Sequence, residues 1–199
     1  MCGCYFVNDE TAKEIEKLVR QVDEKLGMEK GRDIHPSDTA PVLVQRDGRL
    51  SYDFLKWGFP ISFRKEGGGK KRLLFNARCE SALERPSFRE SVLNRRAVVP
   101  AAWFYEWSRA KEKNIFKRTD APVLFMAGCY RRYEDGNHFV ILTTEANSSV
   151  CPVHERMPLI LEHGEIEEWI FDSGRTKEFL QKVPCLLERQ AEYEQMELF

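Results

Sequence analysis

No apolar run in this 199-residue chain approaches the roughly 20 residues that a membrane-spanning helix needs. The opening residues, Met1 to Glu10, contain no basic segment leading into an apolar one, so a secretory signal is not expected. The expectation that follows is a cytoplasmic, nucleoid-associated protein with reduced thiols. Its six cysteines (Cys2, Cys4, Cys79, Cys129, Cys151 and Cys185) are therefore not read as three disulfides. The chain also lacks internal repeats and low-complexity tracts, which excludes solenoids and linker-like segments. Histidine is scarce, with four in all.

What is present is an ordinary folded composition, 42% apolar and 32% charged. The length suits one domain spanning residues 1–199 with a substantial core. The net charge is −1, but it is unevenly spread. Residues 61–132 hold 17 Lys and Arg against 7 Asp and Glu, and the remainder holds 14 against 25. A basic middle inside a neutral protein suggests a local footprint for a polyanion. The alternative is surface charge balanced by acidic neighbours in the fold.

Ile15, Leu18, Val19, Val22 and Leu26 fall at helical spacing, so a helix is predicted over 11–26, with Thr11 and Glu14 as a capping box and Gly27 as the stop. A second helical pattern spans 78–93, and shorter ones 164–171 and 174–181. Apolar, β-rich stretches occur at 42–44, 73–75, 97–99, 102–107, 123–130 and 139–144, with turn signals at Asp47-Gly48 and Asp135-Gly136-Asn137. Trp57-Gly58-Phe59-Pro60 reads as an aromatic turn, and Gly67 to Arg72 as a flexible basic loop. Strands and helices neither alternate regularly nor segregate. The predicted class is α+β, mainly antiparallel sheets with a barrel-like core flanked by helices.

Cys2 is the residue with the most distinctive chemistry. Removal of Met1 leaves an N-terminal cysteine whose free α-amine stands beside its thiol. The reference pKa values, about 7.7–8.0 for the amine and about 8.5 for the thiol, make both reactive forms accessible near neutral pH. An aldehyde can form an imine with the amine, and the sulfur can then close on the imine carbon to give a five-membered thiazolidine. An internal cysteine cannot do this, because its nitrogen is an amide. Gly3 lets the terminus approach other groups closely.

Five separated blocks carry a resemblance over nearly the whole chain. They are Met1-Cys2-Gly3, Trp57-Gly58-Phe59-Pro60, Phe75-Asn76-Ala77-Arg78-Cys79-Glu80, Arg96 to Pro100 running into Phe104-Tyr105-Glu106-Trp107, and Phe139 to Asn147 followed by His154-Glu155-Arg156-Met157-Pro158. In this order and spacing the sequence resembles the SOS-response-associated peptidase (SRAP) family of abasic-site processing proteins. The resemblance implies binding of single-stranded DNA. It also implies covalent capture of abasic sites through the N-terminal cysteine, with autopeptidase and abasic-site lyase activities credited to the same family. By matching motifs, the working residues are Cys2, Asn76, Glu106 and His154.

Each assignment has a physical rationale and a rival. Glu106 lies in an aromatic strand, where a carboxylate tends toward a raised pKa suited to taking and giving protons; the rival is a surface glutamate on an alternating strand. His154 sits in a Pro-flanked loop and has a reference pKa of about 6.5; the rival is a structural histidine. Asn76 can donate and accept, and so could hold the amine or the sulfur; the rival is a turn residue. Arg78 suits a phosphate beside the lesion. Trp57 and Trp107 are candidates for stacking on bases, with core packing as the competing role. Lys70, Lys71, Arg72, Arg95 and Arg96 would add salt-sensitive phosphate attraction.

The chain departs from the family pattern in carrying Cys4 where arginine is usual, and in Asp33-Ile34-His35-Pro36. Cys4 opens the option of a Cys2–Cys4 disulfide. Cys2, Cys4 and His35 or His154 could ligate zinc, but no second Cys-x2–4-Cys pair follows, so neither metal nor cofactor is expected. Two other functions compete. One is an N-terminal-nucleophile amidohydrolase of the glutamine amidotransferase type, and the other is a single-strand binding module without covalent chemistry. The expected partner is single-stranded DNA containing abasic sites, and the expected state is a monomer.

Overall fold

A computed structural model describes residues 2–19, 31–62 and 71–191. The chain begins with β1 (Tyr5–Val7), α1 (Asp9–Leu18), β2 (Arg32–Ile34), β3 (Thr39–Arg46) and β4 (Arg49–Trp57). It continues through β5 (Phe59–Ser62), β6 (Lys71–Leu74), β7 (Asn76–Arg78), α2 (Cys79–Ala82) and α3 (Arg89–Asn94). The strands β8 (Arg96–Ala101), β9 (Trp103–Trp107), β10 (Lys113–Lys117), β11 (Leu124–Tyr133) and β12 (Gly136–Glu145) follow. The last elements are β13 (Arg156–Pro158), β14 (Ile160–Leu161), α4 (Ile166–Phe171), α5 (Thr176–Leu180) and β15 (Glu188–Ala191). Among the described residues no helix is long and apolar enough to cross a membrane.

The expected α+β class with a barrel-like core is what forms. Strands β12, β4, β3, β8 and β11 pair in that order, and β11 pairs back onto β12, so the sheet closes on itself. Closure removes the unpaired edges that an open sheet would expose. A second sheet, ordered β15-β10-β9-β1-β2, covers one side. Alternation along the barrel strands divides their side chains between two cores. Leu43, Val98, Ala127, Val140 and Leu142 join a cluster shared with the helices. Val42, Val99, Met126, Phe139 and Ile141 join another, shared with Cys2, Tyr5, Ile34 and Phe104 from the N-terminal segment and the second sheet. Buried apolar area of this extent is the main favourable term in folding.

Two predicted helices are corrected. The first begins earlier, at Asp9, because Asn8 is the cap: its Oδ1 accepts from Thr11 N at 3.1 Å while Thr11 Oγ1 accepts from Asn8 N at 3.3 Å. Its predicted extension over 20–26 lies outside the described residues. The pattern over 78–93 is two short helices after a strand, not one helix. Pro86 has no N–H to donate and disfavours helical backbone at Arg85, so the chain turns between α2 and α3. In place of the turn expected over Trp57–Pro60, β4 passes into β5 through a one-residue bend at Gly58, whose φ of +114° an L side chain rarely adopts.

Candidate functional site

The shared core ends at a group of residues drawn from four separate segments. Cys2 enters it directly: it is 0% exposed, and its Sγ lies 3.7 Å from the Cys4 carbonyl oxygen. Tyr5 pairs with Ile34 on one side and Phe104 on the other, which ties the N-terminal segment into the second sheet. Cys2 and Tyr5 thus face the barrel.

Asn76 arrives from β7, which runs parallel to β12 with Asn76 opposite Ile141 and Ala77 opposite Leu142. Ala77 faces the helix-covered core, so alternation sends Asn76 toward the other. There its Nδ2 donates to the Cys2 carbonyl at 2.7 Å. Its Oδ1 is buried with no hydrogen-bond partner among the described residues, which costs stability unless another donor meets it. Trp57 fixes the approach of this strand, because its Nε1 donates to Phe75 O at 2.8 Å.

Glu106 comes from β9. Phe104 packs in the shared core, and two residues on Glu106 emerges on the same face, 3% exposed. The surface-glutamate alternative is therefore wrong. Burial raises its carboxyl pKa above the ordinary value, opposed in part by the charge of the N-terminal amine, then by that of His154 and a backbone hydrogen bond from Trp107. The Cys2 thiol is pushed well above its usual range, first by burial and then by the Glu106 charge. This holds for the chain that still carries Met1. In this state the sulfur keeps its proton and needs a base when it reacts.

His154 completes the group from the loop between β12 and β13. Its Nδ1 lies 3.0 Å from Arg156 N and 3.2 Å from Arg156 O. A neutral Nδ1 can accept from the N–H, and a protonated one can donate to the carbonyl. The ring therefore has a backbone partner in either state.

Sequence reasoning missed the residues that hold this loop. The Arg156 guanidinium donates to both Glu80 oxygens, at 2.7 and 2.8 Å, and to Thr143 O at 2.6 Å. This fork joins the His154 loop to the helix that follows Asn76. Asn147 Nδ2 donates to Pro184 O and Cys185 O, while its Oδ1 accepts from Ser149 N. Arg156 and Glu80 both lie in the blocks quoted above, but their pairing across 76 residues leaves no signal in one sequence. Replacing Arg156 with Met is expected to cost roughly 2–3 kcal/mol, since it strands the Thr143 carbonyl and releases Glu80 to water. Thermal unfolding should register this as a drop of roughly 5–10 °C.

The remaining expected DNA contacts divide. Arg78 is exposed and shares the Asn76 face of β7. Trp107 is 42% exposed, and Arg72 is exposed. Trp57 takes the core role instead: it is fully buried, stacked near Phe139 and edge-on to Phe75, with no ring face for a base. Arg96 is likewise internal, its guanidinium donating to Leu93 O, Ile170 O and Trp169 O at the ends of α3 and α4. This replaces phosphate attraction with helix capping. Arg95 is half-buried, pairs with Glu90 and donates to Tyr130 O. Lys71 opens β6, and Lys70 lies outside the described residues, as does most of the basic loop.

All the described cysteines are free thiols. Cys2 turns into the shared core, and the Cys4 sulfur lies 3.8 Å from His35 Nε2. Cys4, Asp33 and His35 bring three metal-ligand atoms within 4.8 Å of one another.

The chain is similar to known proteins in sequence and in fold. The chain is 29% identical over 160 residues to the abasic site processing protein YoaM of Bacillus subtilis, covering 75% of this chain and 70% of that protein. It is 27% identical over 166 residues to the abasic site processing protein YedK of Escherichia coli, covering 80% and 71% respectively. A solved protein from Bacteroides thetaiotaomicron has the same fold, with a TM-score of 0.78 at 21% identity over 96% of this chain and 91% of that one. A Bordetella bronchiseptica protein superposes with a TM-score of 0.76, covering 96% and 99%. The family model for SOS response associated peptidase (SRAP) matches residues 1–198, and the chain belongs to that family.

Proposed function

We propose that this protein processes abasic sites in single-stranded DNA by forming a thiazolidine crosslink through Cys2. The observation that carries the reading is the convergence on Cys2. Asn76 Nδ2 donates to its carbonyl at 2.7 Å, Glu106 is buried in the same region and its charge raises the Cys2 thiol pKa, and the charge of His154 lowers that of Glu106. Release of Met1 comes first and frees the α-amine. The amine adds to the open-chain sugar aldehyde, and loss of water gives an imine. The Cys2 sulfur then bonds to the imine carbon while its proton leaves and the nitrogen gains one. The net reaction joins aldehyde and aminothiol with release of one water.

Glu106 takes the thiol proton at ring closure, a role suited to a carboxylate whose affinity for protons is raised by burial. Asn76 Oδ1 accepts from the amine and orients it. His154 protonates the departing sugar oxygen. If ring closure fails, the open imine permits elimination at the neighbouring phosphate, which is the lyase route. Arg78 contacts the phosphate next to the lesion, Trp107 stacks on an adjacent base, and Arg72 adds salt-sensitive attraction. The chain acts as a monomer.

The test is a denaturing gel after mixing the Met1-free protein with single-stranded DNA carrying one abasic site. A shifted band with abasic DNA and none with intact DNA is the expected result. Equal native binding to both DNAs without any shifted band would mark a binding module and refute the reading.

A further inference from the structure

We propose that Cys4, Asp33 and His35 form a zinc site that staples the strand following the nucleophile to its neighbour. The site is separate from the Cys2 group and lies on the other face of the second sheet. Tyr5 opposite Ile34 sets an antiparallel register that continues to Cys4 opposite His35. Asp33, two residues before His35, falls on the same face. The three ligand atoms lie within 4.8 Å of one another.

The spacing suits the ion. Zinc bound tetrahedrally to a thiolate at about 2.3 Å and an imidazole at about 2.0 Å separates sulfur from nitrogen by about 3.5 Å. Cys4 Sγ and His35 Nε2 stand 3.8 Å apart, so that pair needs an adjustment of a few tenths of an ångström, and the Asp33 oxygen, within 4.8 Å of both, closes by up to about 1 Å through side-chain rotation. Thiolate, imidazole and carboxylate together favour zinc over magnesium or calcium, which prefer oxygen alone.

The ligands are also braced. Tyr105 Oη donates to Asp33 Oδ1 at 2.9 Å, leaving the other carboxylate oxygen for the metal. His35 N donates to Asp38 Oδ2, and Asp38 N donates back to His35 O, both at 2.9 Å, which fixes the His35 backbone. Cys4 is buried while Asp33 and His35 are exposed, so an ion can enter from solvent and leave a fourth position for water. Among the described residues Lys113 brings an opposing positive charge to Cys4, and its Nζ sits 4.1 Å over the Tyr105 ring. With no metal, the Cys4–His35 contact is a weak thiol–imidazole hydrogen bond, and this is the competing account.

Cobalt(II) substitution and zinc titration calorimetry on the full chain separate the two. The expected result is one equivalent of zinc per chain and a thiolate-to-cobalt charge-transfer band with tetrahedral d–d bands. Zinc should also raise the unfolding temperature. Cys4→Ser should abolish the charge-transfer band, and His35→Ala, at an exposed position, should weaken zinc binding at least about tenfold. Cys151→Ser should leave both readouts unchanged. Substoichiometric zinc, or a cobalt band that persists in Cys4→Ser, would overturn the proposal. No readout involves DNA, so failure here leaves the crosslinking reading standing, and failure of crosslinking leaves this one standing.

Discussion

Cys2→Ala is expected to abolish the denaturation-stable crosslink to abasic DNA while leaving an adduct that borohydride can trap. The variant still presents an α-amine once Met1 is gone, so imine formation continues. Without Sγ there is no second bond to the sugar carbon, and the imine hydrolyses or eliminates. Strand cleavage at the abasic site should therefore rise as stable capture disappears. The fold should survive, since one small buried side chain replaces another at the end of the core. Gel analysis with and without borohydride checks both halves. An undiminished stable product from Cys2→Ala would assign the chemistry to another residue.

Glu106→Gln is expected to move activity and stability in opposite directions. Crosslinking should fall on the order of 100-fold, the usual contribution of a positioned acid–base group. Burial raises the Glu106 pKa in the folded protein, so the carboxylate is lost at a higher pH than an ordinary glutamate would lose its charge. The wild-type rate should fall as pH drops through that raised value, and this acid limb should be missing from the Gln variant. The sign for stability follows from the same shift. A group whose folded pKa exceeds its unfolded value contributes stability that is present below the unfolded value and lost as pH rises through the folded one. At neutral pH the buried charge is therefore a cost that glutamine removes, so the variant should melt higher than wild type. The difference should close as pH approaches 4. Rate profiles and melting curves across pH on both proteins test the pair. A merely structural glutamate would lower the melting temperature when replaced and leave no pH limb to remove.

Legibility from sequence followed the range of the forces involved. Local alternation placed the strands over 97–99, 123–130 and 139–144 close to where they form, because each is half of a two-faced barrel wall. It missed β1, β2, β5, β10, β13, β14 and β15, short segments that become strands only by pairing, and β4, whose mixed pattern hid a nine-residue strand that hairpins onto β3 through Asp47-Gly48. The helix over 78–93 failed because apolar spacing outweighed Pro86 in the reading. The site residues came from the resemblance. Composition could not separate Glu106 the buried acid from a surface glutamate, since that depends on which face of β9 meets the barrel. Trp57 and Arg96 show the reverse: types suited to nucleic acid were absorbed by the core and by helix ends. Tertiary pairs such as Arg156 with Glu80 arise from register and loop closure, which a single sequence does not encode as a pattern.

The account rests on where the sugar carbon becomes attached. Mass spectrometry of the protease-digested crosslink locates that bond. The predicted product is an N-terminal peptide beginning at Cys2, without Met1, with its α-nitrogen and Sγ both closed on one sugar carbon and resistant to thiol alkylation. A sugar remnant on a lysine, or a crosslinked chain that still carries Met1, would contradict it.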